Sequence, residues 1–333
     1  MKDLLPRDPK GCPYLILAPM EGVGDRCFRI AMASIGGFDE AVTDFLRVPA
    51  NAHVESLARR YDAGETLPIP LAVQLMGSDP FLMAAMAKQM EIKRAPRIDL
   101  NCGCPSNTVT GKGAGSSLLK DPSFLYENAK AMVQAVSTPV TLKMRSGYAD
   151  TSLFRENLFA AQESGVRYIT IHPRTKVDGY GPPAKWEYIA EAKSLLQIPV
   201  VGNGDILNIQ DALNMVAQTG CDALMIGRGS VINPFIFHQI RSYFHGDEYL
   251  PCWKDVLSFF EVYVRQMADE VPIKAKVSKL KQLMSFQFKA NSILLEQRQM
   301  ILSSQHTSAE AFLDFSLPIL KKGWLSSPLH HEV

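Results

Sequence analysis

Residues 97–106 read Arg-Ile-Asp-Leu-Asn-Cys-Gly-Cys-Pro-Ser, a short apolar run that ends in an amide, two cysteines and a turn. The run up to Leu100 is typical of a buried strand, so Asn101 and Cys104 fall where a strand opens into a loop. In a parallel α/β sheet, binding and catalytic groups lie at that end of the strands. An asparagine both donates and accepts hydrogen bonds, and a tight turn holds a thiol rigidly. The stretch therefore predicts a reactive site.

Two other interpretations of this stretch are open. The first is a plain turn in which the two cysteines are incidental. The second is metal binding by the Cys-x-Cys pair, which is disfavoured because no second Cys/His pair follows at ligand spacing.

Apolar runs rich in Val, Ile and Leu recur along the first two thirds of the chain. Eight such runs predict strands at 14–18, 41–44, 71–75, 97–101, 140–144, 168–172, 199–202 and 223–227. Amphipathic helical patterns lie between several of them, at 81–93, 122–136, 153–164 and 209–219. Strands that are apolar throughout are covered on both faces, as in a closed parallel barrel. We therefore predict an α/β fold, a (β/α)8 TIM barrel over residues 14–247.

A doubly wound open sheet is the alternative, but no Gly-x-Gly-x-x-Gly follows the first strand. Instead, most predicted strands end in polar residues, as they do where a barrel lines its active-site mouth. These residues are Glu21, Gln74, Asn101, Lys143, His172, Asn203 and Arg228.

The strand pattern stops near residue 247, and apolar residues then take helical spacing. We predict a smaller all-helical domain over 248–325, preceded by the barrel and by an N-terminal extension at 1–13, and followed by a tail at 326–333. The segment 271–298 carries six cations against one acid, Glu296. The cations are Lys274, Lys276, Lys279, Lys281, Lys289 and Arg298. A solvated helix face and a polyanion-binding face are both open interpretations.

Two glycine-containing loops follow the seventh and eighth predicted strands. They read Val-Gly-Asn-Gly-Asp at 201–205 and Ile-Gly-Arg-Gly at 226–229. In TIM barrels this pair of loops commonly binds phosphate, and Arg228 can add a bidentate contact. Tight turns without a ligand are the alternative.

Lys143 and Arg145 end the fifth predicted strand, and His172 and Arg174 end the sixth. The cationic or potentially cationic groups of such a cluster repel one another unless an anion or an electron-rich ring lies between them. A reduced flavin is such a ring, because a lysine can stabilise the negative charge at its N1. A structural salt bridge for Lys143 and an ordinary buried role for His172 are the alternatives.

The composition is that of an ordinary globular protein. The 333 residues are 47% hydrophobic and 21% charged, with a net charge of +1, which argues against a strongly basic nucleic-acid coat. Neither a signal peptide nor an apolar stretch long enough to span a membrane is evident, so we expect a cytoplasmic protein.

Seven segments of the chain together resemble the tRNA-dihydrouridine synthases, an FMN-dependent family that reduces a uracil ring in tRNA. The segments are Ala-Pro-Met-Glu-Gly at 18–22, Val-Gln-Leu-Met-Gly at 73–77, Asp-Leu-Asn-Cys-Gly-Cys-Pro-Ser at 99–106, Lys-Met-Arg at 143–145, Ile-His-Pro-Arg-Thr at 171–175, Gly-Asn-Gly-Asp at 202–205 and Met-Ile-Gly-Arg-Gly at 225–229. The helical C-terminal region also matches the family's second domain. Pro173 departs from the pattern, since relatives often have glycine there, and the extension before the first strand is a second departure.

The resemblance implies a role for each matched position. It makes Cys104 the general acid and puts Asn101 and Arg145 beside the target base. It implies FMN contacts at Pro19, Met20, Gln74, Lys143, His172, Asn203, Gly204, Gly227 and Arg228, to which we add Glu21 and Asp205 as candidates.

A finer resemblance is to the bacterial subfamily that modifies position 16 of the D-loop. Thr-Asp-Phe-Leu-Arg-Val at 43–48 is similar to a segment of that subfamily in which an arginine, here Arg47, touches tRNA. Val-Ser-Lys-Leu-Lys-Gln at 277–282 is similar to its basic helix, so we expect Lys279, Lys281 and Arg298 to contact tRNA. The resemblance further implies NADPH or NADH as the reductant of the flavin, and we expect a monomer without a stable protein partner.

Two other functions compete with this interpretation. An FMN barrel acting on a free small molecule such as a pyrimidine has no use for the basic helical region. A binding protein on a barrel scaffold whose chemistry is lost has no use for Cys104, Lys143 and His172.

Overall fold

The computed structural model describes residues 4–106, 113–181, 183–268, 271–287 and 292–325. Its strands are β1 (Tyr14–Leu17), β2 (Glu40–Val42), β3 (Leu46–Arg47), β4 (Leu71–Met76), β5 (Ile98–Cys102), β6 (Val140–Gly147), β7 (Ile169–Thr175), β8 (Val200–Asn203) and β9 (Ala223–Ile226). All neighbours pair in parallel, and β2 pairs with both β1 and β4, so that eight strands close into a barrel. The predicted TIM barrel is confirmed. The two-residue β3, which lies against β4, is too short to leave a signal in the sequence.

Helices alternate with the barrel strands and then continue without strands in the described C-terminal region. They are α1 (Arg26–Ile35), α2 (Val54–Ala58), α3 (Pro80–Ile92), α4 (Pro122–Ala135), α5 (Phe154–Glu163), α6 (Glu187–Leu195), α7 (Ile209–Thr219), α8 (Arg228–Ile232), α9 (Ile236–His245), α10 (Trp253–Arg265), α11 (Ile273–Gln287), α12 (Ser292–Ser303) and α13 (Ala309–Leu325). None of the helices described is long and apolar enough to cross a membrane.

The starts of α3 and α4 show how the local sequence sets the helix boundaries. Each is preceded by an aspartate and begins with a proline, whose fixed φ suits the first helical position. Asp79 accepts hydrogen bonds from the N–H groups of Phe81 and Leu82, at 2.9 and 3.1 Å. These bonds satisfy donors that lack a partner within the helix.

Alternate residues of the strands fill the inside of the barrel. The apolar part of this interior consists of Ile16, Ala18, Val42, Ala72, Tyr168, Val201, Ala223 and Met225, all buried. Leu5, from the predicted N-terminal extension, belongs to the same cluster and is 6% exposed. The extension therefore contributes a side chain to the barrel core.

The chain forms two compact units. The first contains the described residues up to Pro19, then Phe38–Ile206 and Gln210–Gly227, and holds the barrel strands. The second contains Met20–Gly37, Leu207–Ile209 and the described residues from Arg228 on. Within the second unit α1 packs against α10, with the Phe28 and Phe259 rings edge to face at 6.3 Å. The predicted tail at 326–333 and Lys289 lie outside the described residues.

Candidate active site

Five polar side chains that were predicted to line the barrel mouth lie at the carboxyl ends of consecutive barrel strands. They are Gln74 on β4, Asn101 on β5, Lys143 on β6, His172 on β7 and Asn203 on β8. Hydrogen bonds link four of them in two pairs: Asn101 Nδ2 donates to Gln74 Oε1 at 2.7 Å, and Lys143 Nζ donates to Asn203 Oδ1 at 2.9 Å. The structure thus brings these residues together at one end of the barrel.

Cys104 lies on a loop that the Asn101 side chain holds in place. Asn101 Oδ1 accepts hydrogen bonds from the N–H groups of Gly103 and Cys104, at 3.0 and 2.9 Å. On the other side, the Cys104 carbonyl accepts from Ser116 N at 3.2 Å and from Ser116 Oγ at 2.9 Å. Cys104 is 8% exposed and packs with Met76 and other apolar residues. The thiol therefore sits on a loop that is fixed from both sides.

The neighbouring cysteine occupies a different environment. Cys102 is fully buried in β5, and this burial raises the pKa of its thiol well above the ordinary value. Both cysteines are free thiols. Among the described residues, no three His, Cys, Asp or Glu side chains are grouped as they are around a metal ion.

Lys143 is a cation whose hydrogen-bond partner is neutral. Its Nζ donates to Asn203 Oδ1, and Asn203 Nδ2 in turn donates to Met225 O at 2.8 Å. Burial, with a smaller contribution from the Arg145 charge, lowers the pKa of Lys143 to about 8. A group with negative charge or high electron density beside Nζ offsets this penalty, so the site fits such a ligand.

His172 is held by β7 and by the loop after β8. Arg174 NH1 lies 3.3 Å from His172 Nε2, and Arg174 NH2 donates to Asp205 Oδ2 at 2.6 Å. Because a guanidinium can only donate, His172 Nε2 is the acceptor wherever this contact is a hydrogen bond. Gly204 has a φ of +119°, and a Cβ there would lie 3.0 Å from His172 Cδ2, so glycine is required at this position.

Arg145 joins the loop of Cys104 to the loop that follows β7. Its Nε donates to Gly103 O at 2.8 Å, and its NH1 donates to Thr175 O and Gly179 O at 2.8 and 2.9 Å. Burial lowers the pKa of this guanidinium, whose Cζ lies 5.3 Å from the centre of the Tyr180 ring.

Tyr180 is a site residue that the sequence reasoning missed. Its ring lies against Arg145 and is 5.8 Å from the His172 ring, yet the residue is 58% exposed. An aromatic residue between two glycines, at 179–181, just after a predicted strand end, was the available signal.

The remaining candidate cofactor residues are in loops at the ends of β1, β8 and β9. Pro19 and Gly227 are half-buried and are the last residues of two segments of the first unit. Asp205 accepts from Arg174 and from Ala184 N, at 2.6 and 2.8 Å. The second unit contains Met20, whose carbonyl accepts from Val23 N and Gly24 N, the exposed Glu21, and Arg228, which begins α8.

The four candidate tRNA contacts outside the barrel mouth have varied surroundings. Arg47 is half-buried on β3. In the second unit, Lys279 pairs with the Asp25 carboxylate. Lys281 donates to the carbonyls of Leu302 and Ser304 at the end of α12, and Arg298 Nε donates to Ser285 O at 3.3 Å.

Comparison with known proteins places this chain in a family. Residues 16–311 match the family described as Dihydrouridine synthase (Dus). The tRNA-dihydrouridine(16) synthase of Neisseria meningitidis serogroup B is 36% identical over 295 residues, which cover 85% of this chain and 88% of that protein. The tRNA-dihydrouridine(16) synthase of Shewanella oneidensis is 42% identical over 236 residues, covering 68% and 75%.

The fold is also found among solved structures. Histamine dehydrogenase from Rhizobium sp. 4-9 aligns with a TM-score of 0.53 at 16% identity, over 75% of this chain and 49% of that one. At this identity the likeness concerns the barrel fold alone. The family match and the two relatives, which extend over most of the chain, show that it belongs to the dihydrouridine synthase family.

Proposed function

We propose that this chain reduces the C5–C6 double bond of a uridine in tRNA to 5,6-dihydrouridine, with FMN as cofactor and NADPH or NADH as the reductant. The observation that carries the proposal is the pairing of two features at one end of the barrel. A lysine ammonium, Lys143, donates to a neutral amide, and a thiol, Cys104, is held on a loop fixed by hydrogen bonds. The two features suit the two halves of a ring reduction, which needs a hydride and a proton.

The residues present fit a flavin. Lys143, with its lowered pKa, gains from a neighbour that carries negative charge, and the His172 imidazole on the adjacent strand is a further hydrogen-bonding group. When bound, FMN supplies the hydride that reaches C6 of the uracil ring. The backbone of Gly204 and the Arg228 guanidinium are the proposed phosphate contacts. Pro19, Met20, Glu21, Gln74, Asn203, Asp205 and Gly227 complete the proposed cofactor site.

Cys104 is the proposed general acid, which gives its proton to C5 of the uracil ring. A thiol titrates close enough to neutral pH to donate a proton. The hydrogen bonds of its loop keep the donor at a fixed position. Asn101 and Arg145 hold the loop and form the proposed binding surface for the target base.

The proposed macromolecular partner is the D-loop of tRNA, with position 16 as the target. The two relatives described above are named for that position, which supports the finer assignment. We assign tRNA contacts to the helical region 248–325, through Lys279, Lys281 and Arg298, and to Arg47. A monomer in the cytoplasm completes the proposal.

The function is tested with purified protein, FMN, NADPH and a tRNA transcript that carries no modification. We expect dihydrouridine at position 16, read by mapping the product tRNA, and a yellow protein that is bleached by NADPH under anaerobic conditions. Dihydrouridine at another position would contradict the position assignment. Reduction of free uracil or uridine without any reaction on tRNA would replace the proposal with the small-molecule alternative.

Cys104→Ala removes the proposed acid but no group assigned to the cofactor. We therefore expect FMN binding and its reduction by NADPH to remain, while dihydrouridine formation falls about 10²–10⁴-fold, the usual contribution of a general acid. Single-turnover reaction of the reduced protein with tRNA measures this step. Cys102→Ala is the matched control and should keep the rate within about threefold, because Cys102 is fully buried within β5, on the strand face opposite Asn101, and not on the loop. Equal losses in both variants would mean that Cys104 serves the loop alone.

The basic helix is tested by Lys279→Ala combined with Lys281→Ala. If both lysines neutralise phosphates, tRNA affinity falls and the slope of log affinity against log salt flattens by roughly 1.5–2 units. The matched control combines Lys88→Ala and Lys93→Ala, two exposed lysines at the end of α3. Because Lys279 and Lys281 also have partners within the protein, the unfolding midpoint of each variant is measured alongside. An unchanged salt slope would limit these lysines to their internal contacts.

A further inference from the structure

A continuous chain of side-chain hydrogen bonds runs through the inside of the barrel to the loop of Cys104. It begins at Arg97, which precedes β5 and is 2% exposed. Its Nε donates to Glu40 Oε1 at 2.9 Å, and its NH1 lies 3.3 Å from Asp99 Oδ1. The guanidinium also lies 5.1 Å from the Tyr168 ring centre, which completes its enclosure.

Asp99 continues this series of hydrogen bonds toward the mouth of the barrel. Its Oδ1 accepts from Thr141 Oγ1 at 2.6 Å, and its Oδ2 accepts from Gln74 Nε2 at 2.7 Å. Gln74 Oε1 accepts from Asn101 Nδ2, also at 2.7 Å. Asn101 Oδ1 then accepts hydrogen bonds from the backbone N–H groups of Gly103 and Cys104. Asp99 and Gln74 are both fully buried, so water does not compete for these bonds.

The groups at the two ends of this hydrogen-bond chain determine which atom donates and which accepts at every step. At the loop end, backbone N–H groups can only donate, so Asn101 must present its oxygen to them. At the other end, the Asp99 carboxylate faces a guanidinium and can only accept, so Gln74 must present its NH₂ group to it. With both amides so oriented, the Asn101 NH₂ meets the Gln74 oxygen. A donor and an acceptor meet at every step in this orientation alone.

We propose that Asp99 is a positioning residue for the reaction: through Gln74 and Asn101, its charge orients the amide that holds the Cys104 loop. Asp99 lies too deep to touch a substrate, and it acts by setting which atom of each amide faces the next. This proposal rests on the proposed role of Cys104 for its catalytic meaning, but the loop contacts themselves are independent of any activity.

Asp99→Asn keeps the shape of the side chain and removes its all-acceptor character. The new oxygen is expected to face the Arg97 guanidinium, so the new NH₂ group faces the NH₂ of Gln74. Gln74 must then rotate, and Asn101 must rotate after it, which turns the Asn101 NH₂ toward the loop N–H groups. Each such donor–donor contact loses a buried hydrogen bond, so the loop loses its anchor.

The experiment measures hydrogen exchange of the Gly103 and Cys104 N–H groups by NMR on the labelled full chain with FMN added. In Asp99→Asn we expect exchange at both positions to speed up about tenfold or more, the factor that corresponds to loss of one hydrogen bond. Thr170→Val is the matched control. Thr170 is fully buried on β7 and its Oγ1 takes no part in the chain, so exchange at both positions should stay within about twofold.

The decisive comparison comes from swapping the carboxylate and the amide between positions 99 and 74. Gln74→Glu alone places two carboxylates side by side and should also free the loop. In Asp99→Asn combined with Gln74→Glu, the amide at position 99 donates to the carboxylate at position 74. That carboxylate then accepts from Asn101, so the original orientation of Asn101 returns and slow exchange should be restored.

Two results would overturn the proposal. One is exchange in Asp99→Asn that matches Thr170→Val, and the other is failure of the double variant to recover slow exchange when both single variants have lost it. Dihydrouridine formation by Asp99→Asn is a separate readout, expected to fall at least about tenfold in kcat with KM for tRNA within threefold. If Cys104→Ala proved fully active, the proposed role of Cys104 as general acid would fail, and absence of dihydrouridine formation by the unaltered protein would contradict the proposed function; in either case the exchange results still decide whether Asp99 holds the loop.

Discussion

One buried cation determines how the polar interior of the barrel is built. Taking the Arg97 guanidinium out of water costs several kcal/mol unless carboxylates surround it, and Glu40 and Asp99 do so. Because Arg97 and Thr141 occupy one oxygen of Asp99, the other is left to Gln74. The interior of the barrel and the loop that carries Cys104 are therefore one hydrogen-bonded system.

The barrel could be predicted from the sequence because its signals are local. Runs that are apolar throughout mark strands covered on both faces, and eight of them in alternation with helices leave few other folds. The same alternation put Asn101, Lys143, His172 and Asn203 at strand ends, and parallel strands bring such ends together. The structure brings these four residues and Gln74 together at one end of the barrel, whereas Glu21 and Arg228, which were also predicted to line the mouth, belong to the second unit.

The features that could not be predicted from the sequence depend on contacts between residues that are far apart in the chain. Arg97 pairs with Glu40 from 57 positions away, and Lys279 pairs with Asp25 from 254 positions away. Neither pair leaves a pattern in the local sequence. From the sequence, Arg97 was therefore interpreted as the start of a strand, and Lys279 as part of a basic helix face. The grouping of α1 with the C-terminal helices likewise depends on its packing against α10. The hydrophobic periodicity of the sequence does not predict this packing.

The whole polar interior depends on compensation of the buried carboxylates by Arg97. The direct measurement is the free energy of unfolding of Arg97→Ala, from urea denaturation of the full chain. We expect a loss of about 3–5 kcal/mol, because Glu40 and Asp99 are left as buried charges without this cation. For Arg155→Ala, which breaks the exposed ion pair with Glu191, we expect a loss under about 1 kcal/mol. Equally small losses in the two variants would contradict this role of Arg97.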